Sequence, residues 1–222
     1  VFSVSFLLVF VLILVSGCFS STPQAPPPAK VGFWVQNKQD NAVFVEVPEF
    51  MYQTRSEGGT VQVSAAGFFP YQAKGEEIAV LTPDPQFWLA AIMWSEARGQ
   101  SLEGQAAVGQ VVLNRTRDPR FNDTIVDVIF ESSRSNSGRS IYQFSPVIDG
   151  QIYLAFLDPN FGSFLDLAEK ILAGELLNPA LQSALGFFNP EKVQAYDPYK
   201  KNWVWKQPVI GQIDSHVFFT VP

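Results

Sequence analysis

The sequence predicts an α+β fold: a mainly helical portion over 83–222 that closes in short β segments, preceded by a small β-rich region over 31–82. Three observations carry this. A long apolar stretch with helix punctuation at both ends begins at Pro85, further helical spacing follows to Ala173, and short β-branched and aromatic runs separated by turn-formers fill 31–81. With 222 residues, 47% of them hydrophobic and 16% charged, there is ample material for a core. The net charge of -6 argues against a protein held to nucleic acid by non-specific charge, which needs clustered Lys and Arg.

Val1 to Val15 is an uncharged apolar run, shorter than the about 20 residues of a membrane-spanning helix but suited to the core of a secretory signal over 1–17. Val15-Ser-Gly-Cys18 follows and resembles the lipobox of bacterial lipoproteins, which implies lipidation of Cys18 and attachment to a membrane. Cys18 is the sole cysteine, so it has no internal disulfide partner. Residues 18–30, with Pro26-Pro-Pro28, read as an extended tether reaching ~35 Å at ~3.1 Å per residue. The expectation is an exported protein of the cell envelope.

Four β-like runs come next: Val31–Gln36, Ala42–Val47, Thr60–Ser64 and Glu77–Leu81. Packing against the following region is their expected role. The first helix should then run from Pro85 to about Arg98, capped by Asp84, with proline at its first position and Gly99 in the left-handed conformation that stops it. Apolar on all sides, this helix should be buried except where Glu96 emerges. Burial and the negative end of the helix dipole both favour the protonated carboxyl, which makes a general acid for near-neutral pH. The competing reading is a structural carboxylate paired with Arg98, Arg115 or Arg120.

A second helix runs from Ser101, its cap, to Thr116, ending before Pro119, with Gly104 and Gly109 allowing a neighbour to come close. A shorter one covers Asp123–Phe130, Ser132–Ser140 reads as a polar surface loop, and Phe161–Ala173 is helical again. Trp203-Val-Trp205 and Ile213–Phe219 close the chain in β-like character.

The run Trp94–Gly99, then Glu103–Val108, Val112–Arg115, Pro119–Phe121, Gln143–Pro146, Phe188–Pro190 and His216–Phe218 resembles the cell wall hydrolase family typified by the spore cortex-lytic enzyme SleB, over about 85–219. The resemblance implies a lysozyme-like, mainly helical catalytic domain acting on peptidoglycan, with Glu96 as catalytic acid. Gln143, Ser145 and Asn189 are then candidate hydrogen-bonding partners of the sugars, although each also suits a turn or cap. Tyr142, Phe188 and Trp203 are candidate stacking rings. His216 sits beside Asp214 and Ser215, but neighbouring strand residues point to opposite faces, so a hydrolase triad is excluded and a structural or substrate-orienting role is expected.

Glycosidic cleavage ordinarily takes two carboxyl groups. Only Glu96 is strongly marked, which favours a lytic transglycosylase; Glu103, Asp123 and Asp149 are the second-acid candidates for a hydrolase. One cysteine at the lipobox and one histidine leave no set for a thiol peptidase or a zinc site, and no cofactor or metal is implied. A non-catalytic lipoprotein that only holds glycan is the rival reading. The expected partners are peptidoglycan glycan strands and, through Cys18, a membrane.

Overall fold

A computed structural model describes residues 27–36, 42–47, 49, 52–57, 60–65, 67–73, 78–134 and 140–222. The expected leader over 1–17, Cys18 and most of the tether lie outside these residues. The described residues form the expected α+β architecture.

Strands β1 (Lys30–Gln36), β2 (Ala42–Glu46), β3 (Tyr52–Glu57), β4 (Thr60–Ala65), β5 (Phe68–Phe69), β6 (Tyr71–Ala73), β7 (Ile78–Val80) and β8 (Thr82–Pro83) build the N-terminal region. They pair in the orders β2-β1-β7, β3-β4-β6 and β5-β8. The expected runs became β1, β2, β4 and β7. β3 went unforeseen because its residues, Tyr-Gln-Thr-Arg-Ser-Glu, are nearly all exposed on an edge strand and carry no apolar alternation. In β4 that alternation is plain, with Val61 and Val63 buried and Gln62 and Ser64 exposed.

This region docks through aromatic rings. Phe33 of β1 lies 5.4 Å from Phe68, 5.5 Å from Phe87 and 5.7 Å from Phe156, ring centre to centre. Val31, Phe33, Val61 and Val63 therefore belong to the same buried cluster as the first helix. The β-rich region is in this way a wall of the helical core, as expected of it.

Helix α1 (Pro85–Ala97) starts as its sequence requires: the Asp84 carboxylate accepts from the Phe87 amide at 2.9 Å and Pro85 stands at the first position. Every residue from Phe87 to Met93 is buried. Its end differs from expectation. Arg98 stays right-handed, the Gln100 amide bonds the Ala97 carbonyl at 2.9 Å, and among the described residues the left-handed glycines are Gly67, Gly150 and Gly174 rather than Gly99. The chain turns tightly into the next helix, so a left-handed stop is not needed.

α2 (Leu102–Thr116) is capped by Ser101, whose hydroxyl accepts from the Gly104 amide at 3.1 Å. A Cβ on Gly109 would stand 2.6 Å from Met93 Sδ and 2.9 Å from Ile171 Cδ1, so glycine lets α1, α2 and α5 (Phe161–Leu172) meet closely. α3 (Ile125–Ile129) is shorter than predicted, with Thr124 as cap.

The polar 132–140 stretch is not wholly loop. Its ends pair as β9 (Ser132–Arg134) and β10 (Ser140–Tyr142), and the exposed polar residues of β9 give no apolar alternation by which the ladder could be read. α4 (Ser145–Asp149) follows and stops at left-handed Gly150. β11 (Gly186–Phe188), α6 (Pro190–Tyr196), β12 (Val209–Ile213) and β13 (His216–Phe219) complete the chain, with sheet order β11-β13-β12. Trp203–Lys206 is a 3-10 turn rather than β structure, because the Asn202 side chain accepts from the Val204 amide at 3.2 Å and starts a helical turn.

Polar side chains on α2 pin the segment that leads into this last sheet. Gln110 donates to the Asn178 carbonyl at 2.9 Å and accepts its amide at 2.7 Å, while Asn114 donates to the carbonyls of Leu181 and Ala184 at 2.8 and 2.9 Å. Buried amides with several partners each fix position as well as satisfying backbone groups.

Candidate active site

Glu96 occupies the last turn of α1, where the helix leaves the core, and keeps part of its surface on solvent. Protein surrounds most of it, and this loss of hydration is the main cause that pushes its carboxyl from 4.5 to about 7. Two charges act in addition: Lys192 pulls it down and Asp149 pushes it up.

None of the three arginines considered as structural partners takes that role. Arg98 lies 4.5 Å over the Trp94 ring and donates to the Ser95 carbonyl. Arg115 is stacked 5.0 Å from both Phe121 and Phe144 and donates from Nε to the Leu185 carbonyl. Arg120 pairs with Asp118 at 2.8 Å. The acid is thus raised by burial and not neutralised by an ion pair among the described residues.

The two charges that act on Glu96 come from α4, which ends at Asp149, and α6, which carries Lys192. The β10–α4 segment carries Tyr142, half-buried, then Gln143 and Ser145, both exposed, and ends at exposed Asp149. Phe144 holds this segment from beneath, buried and stacked on Arg115. Asn189 caps α6 by accepting the Lys192 amide at 3.1 Å, so its oxygen has a structural use. His216 is buried, 4% exposed, with its ring 5.1 Å from Phe187 and its Nδ1 without a partner among the described residues. Burial, helped by the Lys192 charge, holds its pKa below the usual value, so it is neutral.

A latch joins the turn after Glu96 to the turn before His216. Asp214, at φ 48°, accepts from the Ser101 amide at 2.8 Å and from its hydroxyl at 2.6 Å. Gln100 Oε1 accepts from the Ser215 amide at 3.1 Å and hydroxyl at 3.0 Å. A Cβ on Gly104 would stand 2.5 Å from Asp214 Oδ2, so the first turn of α2 accommodates this carboxylate only with glycine there. The Ser101 bonds hold Asp214 below the usual carboxylate range. Asp214, Ser215 and His216 therefore serve different contacts and form no triad, although for another reason than the expected one: Asp214 and Ser215 form the turn between β12 and β13, and only His216 lies in a strand.

Of the second-acid candidates, Asp149 alone acts on Glu96. Glu103 meets the Asn178 amide nitrogen at 3.4 Å, and Asp123 is exposed beside α3. Two cavities, of about 610 and about 200 Å³, lie along α2, sharing Gln110 and Asn178; Glu96 lines neither. Lys192 was not singled out from the sequence. The signal was available, since Asn189-Pro190-Glu191 is a helix start with a cap, a first-position proline and a first-turn acid. Among the described residues no group of His, Cys, Asp and Glu is arranged to hold a metal ion.

The family described as Cell Wall Hydrolase matches residues 99–219. The chain belongs to the cell wall hydrolase family. The matched stretch begins three positions after Glu96 (99 − 96), so the case for that acid rests on its own surroundings. This family member is 36% identical over 132 residues to the spore cortex-lytic enzyme of Oceanobacillus iheyensis, covering 59% of this chain and 39% of the relative. The spore cortex-lytic enzyme of Bacillus subtilis is 34% identical over 130 residues, covering 59% and 35%, and that of Bacillus cereus 32% over 164, covering 72% and 52%. The chain thus spans between about a third and a half of the length of these curated relatives. The solved catalytic domain of the germination-specific lytic transglycosylase SleB from Bacillus anthracis superposes with a TM-score of 0.47 at 32% identity, covering 61% of this chain and 93% of that one.

Proposed function

We propose that the protein cleaves the glycan strands of peptidoglycan at the MurNAc–GlcNAc β-1,4 bond, as a lytic transglycosylase with Glu96 as its single acid and base. The observation that carries this is a largely enclosed carboxyl, without an ion-pair partner among the described residues, with a pKa raised to about 7 at the end of a buried helix. Protonated near neutrality, Glu96 gives its proton to the glycosidic oxygen as the bond to the sugar C1 breaks. The carboxylate then takes the proton of the same sugar's 6-hydroxyl, whose oxygen closes on C1. The product is a 1,6-anhydro end, Glu96 is protonated again, and no water is consumed.

Gln143 and Ser145, exposed at the start of α4, and Tyr142 beside them are proposed sugar contacts, in the segment that ends at Asp149. Asn189, the cap of the helix that carries Lys192, is proposed as another, and His216, packed on Phe187, as a further one. Membership of the cell wall hydrolase family and the spore cortex-lytic names of its relatives support the substrate class. The protein is proposed to act outside the cytoplasm, held to a membrane through lipidated Cys18.

A water-using hydrolase is the second reading, favoured by one observation: Asp149 is close enough for its charge to act on Glu96. Digestion of purified peptidoglycan separates the readings. Anhydro-muropeptides from the parent and none from Glu96→Gln support the transglycosylase, while new reducing ends identify a hydrolase. Equal inactivity of both proteins would leave a glycan-holding lipoprotein.

A further inference from the structure

An aromatic and basic surface continues from the acid's neighbour Lys192. α6 rises from Lys192 to Tyr196 over about 6 Å, and the chain then folds into a compact loop over 197–206. Tyr196 is 67% exposed, Tyr199 80% and Trp203 57%. Such a group of large rings on one short segment is unusual for a surface without a partner.

The loop is built, not loose. The Asp197 carboxylate accepts from the Lys201 amide at 3.0 Å, the Asn202 amide at 2.6 Å and Trp205 Nε1 at 3.0 Å. These bonds draw its pKa below the usual range and use the charge internally. Lys200, at φ 51°, places its ammonium 4.9 Å from the Trp205 ring, and Lys201 places its own 5.5 Å from Tyr199. Trp203 is braced edge-on by Phe219 at 5.8 Å, and Trp205 by Phe188 at 5.1 Å. Residues 190–207 carry four lysines against Glu191 and Asp197, in a chain whose net charge is -6. The lysines are exposed, whereas Asp197 is engaged.

We infer that the surface of Tyr196, Tyr199, Lys200, Lys201 and Trp203 is a docking platform for an acidic sugar polymer, namely the uncut flank of the strand that Glu96 cleaves. Flat rings suit the faces of sugars, and the ammonium groups suit the carboxylates of attached stem peptides. The inference rests on the glycan-cleaving reading for the identity of its ligand. It adds a place where a long strand is gripped away from the bond that breaks. Part of that grip is charge between exposed groups, so salt weakens it.

The test is co-sedimentation with purified cell-wall sacculi in a Glu96→Gln background, where nothing is cut. Tyr199→Ala should bind about fivefold to tenfold more weakly, the size of one lost ring contact. Lys200→Gln with Lys201→Gln should weaken binding and flatten its salt dependence. At 80% exposure Tyr199 supports no core, so its removal leaves the fold intact. With Glu96 restored, cleavage of a short soluble glycan should be unchanged by Tyr199→Ala.

Unchanged sedimentation of both variants would overturn the platform. So would an effect that vanishes on walls stripped of anionic accessory polymers but not on walls stripped of stem peptides, since the charge partner would then be the wrong polymer. A parent protein that sediments normally and releases no product would instead refute the cleavage reading alone.

Discussion

Glu96 and Arg115 are both ionisable groups carried by apolar helices into the interior, and they meet opposite fates. Arg115 is held: the rings of Phe121 and Phe144 each stand 5.0 Å away and Nε has a carbonyl, although Nη1 has no partner among the described residues; burial lowers its pKa to about 10 while the charge of Glu131 supports it. It remains fully charged near neutrality. Glu96 has no arginine, and Lys192 only partly offsets its burial, so its carboxyl rises to about 7. A buried charge with fixed partners holds structure together, whereas one denied them acquires a proton that it can give away.

The sharpest way to break this contrast is to neutralise each group. Glu96→Gln should lower the release of muropeptides by about 10³-fold or more, within the range of a lost general acid, in an otherwise folded protein. Arg115→Met should act on stability instead. Losing the Leu185 carbonyl's partner and the filling between two rings should cost about 2–4 kcal/mol in denaturant unfolding, while the pH dependence of any residual activity stays put.

Stability should also move in opposite directions at the two sites. Because the folded pKa of Glu96 is raised, its carboxyl burdens the fold least below about 4.5 and most above about 7. Glu96→Gln should therefore raise the melting temperature at pH 8, by a free energy of at most about 3 kcal/mol, and have little effect at pH 4. No gain at pH 8 would mean that the acid is not strained by burial.

The smallest effects fall on the charges around the acid. In the proposed mechanism the protonated form gives the first proton, so activity should fall as pH rises through about 7. Asp149→Asn removes a charge that raises Glu96, and the falling limb should shift to lower pH; Lys192→Gln should shift it to higher pH. Equal shifts in one direction would show that these side chains act on the fold rather than on the proton. At the latch, Asp214→Asn keeps an oxygen for Ser101 and should be nearly silent, whereas Asp214→Ala should reduce turnover by loosening the turn that follows Glu96.

Much of the region around Glu96 was legible because its signals are local. A cap such as Asp84 or Ser101 acts within three residues of itself, and the apolar run from Phe87 to Met93 announces burial whatever packs on it. Other local signals misled. Gly99 suggested a left-handed stop that a tight turn into α2 makes unnecessary, and Trp203-Val-Trp205 looked like a strand until Asn202 began a 3-10 turn. α6 was hidden by brevity, although Asn189-Pro190 marked its start.

By itself the sequence determined that a single acid would end a buried helix, and that the residues around it would follow an α+β plan. Both depend on hydrophobic period and capping, which are written in consecutive residues. Only the tertiary structure decided what faces that acid. Asp149 and Lys192 lie 53 and 96 positions further along (149 − 96, 192 − 96), and no periodicity reports which distant charges will converge. The proton on Glu96 is set first by lost water and then by those two charges, and both exist only once the chain has closed.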